Sequence, residues 1–221
     1  MDIWYGTAKT ILKTYLTLFS RGCHVRGLER LPKGPKIIAG NHPNATDGFY
    51  LPFLCREKVS FLAQENLFSV PFIGMVLKKS GQIPIWHGTG QEAIQKAGEA
   101  LNQGRAVVIF PEGTLNPGNL PIPGGTGAVR LSLATGVPIV PVGFYVPMCQ
   151  THEIIKYDEE GKKHTSRWQF RGHCFIQFGS AWFPGKETNR GMDRLSFHNL
   201  TDLLMEKIRA LAHQAFLECT A

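Results

Sequence analysis

The chain has 221 residues, 43% of them hydrophobic, which is the size and composition of one packed globular domain. Its formal net charge is +7, and residues 1–80 hold eleven Lys and Arg against five Asp and Glu. A basic region of this kind suits the headgroups of anionic lipids or the phosphates of nucleic acid, and the sign of the charge alone does not distinguish between these two partners. The five cysteines are scattered and never spaced as Cys-x-x-Cys, which argues against a disulfide framework or a zinc site and favours free thiols in a reducing compartment.

Residues 3–20 have the pattern of an amphipathic helix that carries aromatic side chains. Its apolar residues recur near one side at helical spacing: Trp4, Ile11, Leu12, Tyr15, Leu16 and Phe19. The stretch is shorter than the roughly 20 apolar residues of a spanning helix, and Lys9 and Lys13 interrupt it. Such a helix either lies in a membrane interface or packs on the domain, and the basic residues that follow favour the membrane. We therefore expect residues 1–25 to form a membrane-surface helix and residues 26–221 to form a single domain.

Predicted strands and helices alternate after this segment. Apolar or β-branched runs predict strands at 35–40, 59–64, 81–86, 106–110 and 137–146, and helical patterns fall at 47–55, 70–80, 90–103 and 127–135. Residues 150–182 predict a hairpin followed by a strand, and residues 193–217 predict a closing helix. This order is typical of an α/β fold, here a three-layer sandwich with a mostly parallel mixed sheet, preceded by an N-terminal amphipathic helix.

The stretch "NHPNATD" places His42 and Asp47 just after the strand predicted at 35–40. On a regular helix, side chains five positions apart are rotated by about 140°, so these two meet only if the chain turns between them. Pro43 and the following Asn-Ala-Thr favour such a turn. A carboxylate at Asp47 would then fix the tautomer of His42 and leave its other nitrogen free to take a proton. Taken alone, a His and an Asp at this spacing are more often structural than catalytic.

A second polar loop, "FPEGT", follows the strand predicted at 106–110. Glu112 can accept from hydroxyl groups, and the backbone amides of Gly113 and Thr114 can bind an anion; alternatively, the loop is a tight strand exit with Glu112 in solvent. The sequence contains no Gly-x-Ser-x-Gly, no His-Glu-x-x-His and no Walker loop. A base at His42 therefore most simply serves the hydroxyl of a substrate.

Four ordered stretches, "NHPNATD", "GQIPIW", "FPEGT" and "VPIVPV", resemble the four sequence blocks of the glycerolipid acyltransferases, the family of lysophosphatidic acid acyltransferases. The resemblance implies that His42 takes the proton of an acceptor hydroxyl, which attacks the thioester of acyl-CoA or acyl carrier protein, while Asp47 orients the imidazole. It also implies that Glu112, Gly113 and Thr114 bind the acceptor. Residues of the second block, Gly81, Ile83, Pro84 and His87, are expected to line the same site.

Four positions depart from the pattern of family members that use phosphate-bearing acceptors. Such members commonly carry Lys or Arg where this chain has Gln64, Trp86–His87, Leu115 and Gly124–Gly125. Because a phosphate is held chiefly by charge-assisted hydrogen bonds from Arg or Lys, the expected headgroup is neutral, zwitterionic, a sugar or an amino lipid. Alternatively, Lys78, Lys79 or Arg130 supplies the phosphate contact from another direction.

The resemblance predicts a peripheral membrane enzyme on the cytoplasmic face. Its expected partners are membrane lipids and acyl-CoA or acyl carrier protein as donor, with no cofactor, no metal and no nucleic acid; the oligomeric state is not predicted. Two other functions remain open. One is a catalytically idle lipid-binding member of the same fold, and the other is a hydrolase in which His42 activates water.

Overall fold

The computed structural model describes residues 2–86, 90–116, 122–157, 163–187 and 194–220. The strands in these ranges are β1 (Ser20–Arg26), β2 (Lys36–Gly40), β3 (Val59–Gln64), β4 (Ile83–Ile85), β5 (Ala106–Ile109), β6 (Ile139–Tyr145), β7 (Thr151–Tyr157), β8 (Lys163–Gln169) and β9 (Gly172–Phe178). The helices are α1 (Ile3–Phe19), α2 (Leu51–Leu54), α3 (Asn66–Ser69), α4 (Ile73–Lys79), α5 (Gly90–Asn102), α6 (Gly127–Thr135) and α7 (Arg194–Thr220).

Seven strands form one sheet in the order β1–β9–β6–β2–β5–β3–β4. Strands β6, β2, β5, β3 and β4 run parallel to one another, whereas β9 is antiparallel to β6 and β1 runs with β9. Strands β7 and β8 pair as a separate antiparallel hairpin. The mostly parallel mixed sheet expected from the sequence is confirmed, and so is the hairpin.

Alternating side chains of the central strands fill two cores, one on each face of the sheet. Ile37, Val107 and Ile139 pack with residues of α5, α6 and α7. Ile38, Val108 and Val140 pack on the other face with residues of the segment that ends in α2. Strands buried on both faces require continuous apolar sequence, which is why these runs are recognisable without periodicity. The result is the three-layer arrangement that the sequence predicts.

Helix α1 packs on the domain and also exposes an apolar stripe. On its inner side, the Tyr5 hydroxyl accepts from the Val59 backbone N–H at 2.8 Å, and the Tyr15 hydroxyl donates to the Gln169 carbonyl at 2.9 Å. On its outer side, Ile3, Ile11 and Leu18 are exposed. The expected apolar side is therefore divided, since Ile11 points away from the domain. Within the described ranges, no helix is long and apolar enough to cross a membrane.

Strand β1 was not predicted from the sequence. It contains mostly polar and small residues, and it pairs with β9 alone at the edge of the sheet. An edge strand needs no continuous apolar run, so it lacks the signal that marks the central strands. Residues 20–25, expected at the end of the N-terminal helical segment, therefore belong to the sheet. All five cysteines are free thiols, as expected.

Candidate active site

The two polar loops lie side by side at one edge of the sheet. Strands β2 and β5 are parallel neighbours, so the loops that follow them, with His42 and Glu112, leave the sheet at the same edge. The Asn116 backbone N–H donates to the His42 carbonyl at 2.9 Å and joins the two loops. This is the position where open α/β sheets bind their ligands.

His42 and Asp47 meet across a turn. Nδ1 of His42 lies 3.3 Å from Oδ2 of Asp47, a long hydrogen bond of the kind common in unliganded sites. Asn44 closes the turn, because its backbone N–H donates to Oδ2 of Asp47 at 2.7 Å and its side-chain amide donates to Oδ1 at 3.4 Å. The expected contact between the two side chains is confirmed, and Asp47 is fully buried.

The surroundings of Asp47 have opposing effects on the pKa of its carboxyl. Burial raises the pKa of the Asp47 carboxyl, and the hydrogen bonds and charge of His42, with those from Asn44, partly offset that rise. When Asp47 is ionised it can only accept, and the proton of their shared hydrogen bond then lies on Nδ1 of His42. Nε2 then carries the lone pair that a general base requires.

The imidazole of His42 is also fixed by stacking. The rings of His42 and Phe110 lie 3.8 Å apart between centroids and within 9° of parallel. Phe110 follows β5 directly, so the second loop contributes both Glu112 and the ring that stacks on His42. The side chain of His42 remains 20% exposed, which leaves it open to a substrate from the edge of the sheet. No local pattern around His42 indicates this partner, which is 68 positions away.

Glu112 is a buried carboxyl beside Asp47. Its residue exposure is 8%, and within the described residues neither carboxyl oxygen forms a hydrogen bond of good geometry, although the Asn116 side chain and the His42 backbone amide are near enough to act on its pKa. Burial raises the pKa of Glu112 to about 7; the Asp47 charge adds to the rise, and the Asn116 side chain and the His42 backbone amide oppose it. The alternative of a solvated Glu112 is therefore wrong. Because Gly113 donates its N–H to the Phe110 carbonyl at 3.0 Å, that amide is not free for an anion. Thr114 is exposed beside it.

An amide bridge braces the strand end below His42. Asn41 is buried, and its side chain donates to the Phe144 carbonyl at 2.9 Å and accepts from the Phe144 N–H at 2.8 Å. Gly40 permits this approach, since a Cβ at that position would lie 2.7 Å from the Phe144 ring. These two hydrogen bonds join β2 to β6 where their backbone pairing ends. The strand end that precedes His42 is therefore held rigidly.

These residues fall inside a region with known relatives. The sequence model of the Acyltransferase family matches residues 22–145, which is more than half of the chain and includes His42, Asp47, the second block and Glu112. The chain belongs to the Acyltransferase family.

Several curated acyltransferases resemble this family member. It is 35% identical over 127 residues to a 1-acyl-sn-glycerol-3-phosphate acyltransferase of Borreliella burgdorferi, covering 55% of this chain and 50% of that protein. It is 30% identical over 121 residues to a lyso-ornithine lipid O-acyltransferase of Pseudomonas aeruginosa, covering 53% and 46%. The chain thus spans at most about half the length of these relatives. The solved 1-acyl-sn-glycerophosphate acyltransferase of Thermotoga maritima shares the fold, with a TM-score of 0.66 at 21% identity, covering 94% of this chain and 79% of that one.

The β7–β8 hairpin of this acyltransferase-family chain lies beyond the matched region yet contacts the His42–Asp47 turn. The Ala45 N–H donates to the Arg167 carbonyl at 2.8 Å, and the Gln169 N–H donates to the Thr46 hydroxyl at 3.4 Å. Gln169 is almost fully buried and accepts from the Tyr50 hydroxyl at 3.1 Å. The hairpin is therefore part of the frame of the site, and sequence reasoning did not place it there.

The second block is mostly away from His42. Gly81 precedes β4 at the opposite edge of the sheet, where a side chain would collide with the Arg105 guanidinium. Ile83 is buried in the core, and Pro84 pairs with Ala63 in mid-strand. The structure does not bring these three residues to His42. Trp86, in contrast, follows the carboxyl end of β4, on the same side of the sheet as His42, and is 45% exposed. His87 lies outside the described residues.

Proposed function

We propose that this chain is an O-acyltransferase of the membrane surface. It moves a fatty acyl group from acyl-CoA or acyl carrier protein to the hydroxyl of a glycerolipid or lysophospholipid-like acceptor. The observation that carries the proposal is the hydrogen bond between His42 and Asp47 at a strand end, in a chain whose family match includes both.

The proposed chemistry needs one base and no covalent enzyme intermediate. Nε2 of His42 takes the proton of the acceptor hydroxyl while its oxygen forms a bond to the thioester carbonyl carbon. The tetrahedral intermediate then collapses, the carbon–sulfur bond breaks, and the leaving thiolate takes the proton back from Nε2. Asp47 stabilises the imidazolium that exists between these steps, and such base catalysis is typically worth about 10²- to 10⁴-fold.

Glu112 has a separate proposed role at the acceptor. Its carboxyl lies near the backbone of His42, and its oxygens form no hydrogen bond of good geometry within the described residues, so it can accept from a second hydroxyl of the acceptor. A hydroxyl bound there is positioned by the same loop that stacks Phe110 on His42. Thr114, exposed on that loop, is the other proposed contact.

The proposed location is the membrane surface on the cytoplasmic side. The exposed stripe of α1, with Ile3, Ile11 and Leu18, suits an interfacial helix, and the net positive charge suits anionic headgroups. Five free thiols fit a reducing compartment.

A second candidate acceptor lacks a phosphate. Gln64, Trp86 and Leu115 stand where phosphate-using members commonly carry Lys or Arg, and one similar protein is named for an ornithine lipid. Two of the three alternative cations are engaged elsewhere, since Lys79 lies over the Trp4 ring and Arg130 over the Phe197 ring. These observations favour an amino lipid or glycolipid over lysophosphatidic acid.

An acceptor screen with one radiolabelled acyl thioester tests both proposals. Purified protein is incubated with lysophosphatidic acid, a lysophospholipid without a terminal phosphate, a lyso-amino lipid and no acceptor, and the product is separated by chromatography. We expect labelled diacyl product that His42→Ala abolishes and that His213→Ala, an exposed histidine of α7, leaves unchanged. Unchanged transfer by His42→Ala would sink the mechanism. Thiol release without any acceptor would identify a hydrolase, and strong preference for lysophosphatidic acid would refute the second candidate.

A further inference from the structure

The surface formed by α3, α4 and the turn between them exposes an unusual number of apolar side chains. They are Leu67 at 48% exposure, Val70 at 41%, Phe72 at 59%, Ile73 at 46% and Met75 at 40%. We call this set the α3–α4 surface. Exposed apolar side chains grouped this closely along the chain favour an interaction site over ordinary surface variation.

The α3–α4 surface lies at the edge of the sheet that carries His42. Strand β3 is parallel to β5, and β5 is parallel to β2, so the carboxyl ends of all three strands lie at one edge. Helix α3 begins two residues after β3 ends, and α4 then runs back toward β4 at the other edge. The exposed turn between α3 and α4 is therefore on the same side of the molecule as the base.

The backbone at Phe72 is strained in a way that exposes its ring. Phe72 has φ 62° and ψ −53°, and the Ile73 N–H donates to the Pro71 carbonyl at 2.7 Å, which closes a γ-turn. A residue with a Cβ rarely adopts this conformation, and such strain persists only where neighbouring structure imposes it.

The neighbouring contacts explain how the strain is held. Phe68 is 6% exposed and anchors α3 in the protein. Gly74 packs so tightly on the Phe68 carbonyl that a side chain there would collide with it, and its N–H donates to the Val70 carbonyl at 2.8 Å. Phe68 is thus held inside while Phe72, four residues later, is directed outward.

We propose that the α3–α4 surface inserts into a lipid bilayer with Phe72 as its leading side chain. The inference rests on the proposed function and extends it, since it assigns a second membrane contact besides α1. It also places the carboxyl ends of the strands, where His42 lies, next to the bilayer that contains a lipid acceptor. Charge complementarity selects the occupant, because the last turn of α4 carries Lys78 and Lys79, both exposed beside the apolar side chains, and such cations attract anionic lipid. Helix α1, which bears Lys9 and Lys13, packs against α4.

The test compares vesicle binding of Phe72→Gly and a matched control. Glycine removes the ring and accepts the positive φ, so the variant keeps the turn and its Tm is at least that of the parent. In cosedimentation with vesicles of phosphatidylglycerol and phosphatidylethanolamine, we expect Phe72→Gly to weaken binding about tenfold, the loss from withdrawing most of one Phe side chain from lipid. The control, Leu195→Ser, removes a side chain that is 67% exposed on α7, on the opposite face of the sheet, and leaves binding unchanged.

The outcomes separate this proposal from the proposed function. Phe72→Gly should retain full acyl transfer on a micelle-dispersed acceptor, whereas His42→Ala should lose transfer and bind vesicles normally. Equal vesicle binding by Phe72→Gly and the parent would overturn the insertion. A fall in oligomeric mass by light scattering, with vesicle binding unchanged, would show that a second copy covers the surface and would overturn it equally.

Discussion

The raised pKa of Glu112 makes a quantitative prediction for Glu112→Gln. A buried carboxyl with a pKa of about 7 holds its proton more tightly than the unfolded chain, where the ordinary value is 4.5. Between these values the native state binds more protons than the unfolded state, so the free energy of unfolding falls as pH rises. Glutamine has no proton to lose there, and the variant should not show this fall.

The size of the effect follows from the two pKa values. Ionising Glu112 in the folded protein costs at most about 3 kcal/mol above pH 7, at 1.36 kcal/mol for each pKa unit. Solvent screening at the loop reduces this to about 2 kcal/mol. Glu112→Gln should therefore be about 2 kcal/mol more stable than the parent at pH 8 and about equal to it at pH 4. The glutamine oxygen can still accept from the acceptor hydroxyl, so Glu112→Ala, rather than Glu112→Gln, is the variant expected to lose acyl transfer.

Urea unfolding at several pH values between 4 and 8 measures the difference directly. Carboxyls distant from the loop titrate alike in both proteins, so the difference between variant and parent reports Glu112 together with its coupling to Asp47. Glu206→Gln, at an exposed position on α7, is the matched control and should leave the pH dependence unchanged. Equal stability of Glu112→Gln and the parent at pH 8 would refute the claim that burial in this loop controls the carboxyl.

Three substitutions test other parts of the structure, two of them at the site and one on the α3–α4 surface. His42→Ala should lower kcat by about 10²- to 10⁴-fold, and it should also lower Tm because it removes the ring stacked on Phe110 and the hydrogen bond to buried Asp47; steady-state kinetics and thermal unfolding check this. Asn41→Ala should cost about 2–4 kcal/mol in urea unfolding, because the Phe144 N–H and carbonyl both lose their partner in the core, and retention of full stability would contradict the bridge. Phe72→Gly should add about 1 kcal/mol to stability by relieving the positive φ, and a destabilised variant would show that its ring packs on the protein.

Much of the sheet was predictable because buried parallel strands leave a strong local signal. The runs at β2, β5 and β6 are apolar on both faces, and polar loops follow two of them. The His42–Asp47 contact was predictable for a similar reason, since Pro43 lies in the turn that brings them together. Both inferences needed only residues close together in sequence.

The parts that were missed depend on distant residues or on weak local signals. Phe110 stacks on His42, and Gln169 supports Thr46, across separations that no short pattern reports. The helical pattern at 70–80 hid a break, since apolar spacing does not reveal that Phe72 has a positive φ. Gly74 was the available clue, because a glycine inside an apolar helical run often marks a close backbone approach.

The contact between the β7–β8 hairpin and the His42–Asp47 turn has a consequence for how this region can vary. Ala45 bonds to the backbone carbonyl of Arg167, and the N–H that reaches Thr46 is also a backbone group. Main-chain contacts do not depend on which side chain is present. They do depend on the number of residues between the contact and the start of β9, because β9 is fixed in the sheet. The carboxyl end of β8 should therefore accept other residues at position 167. Deleting or inserting one residue between position 167 and β9 should instead disrupt the contact with the His42–Asp47 turn. We expect the number of residues in this segment to be more constrained than the identity of residue 167.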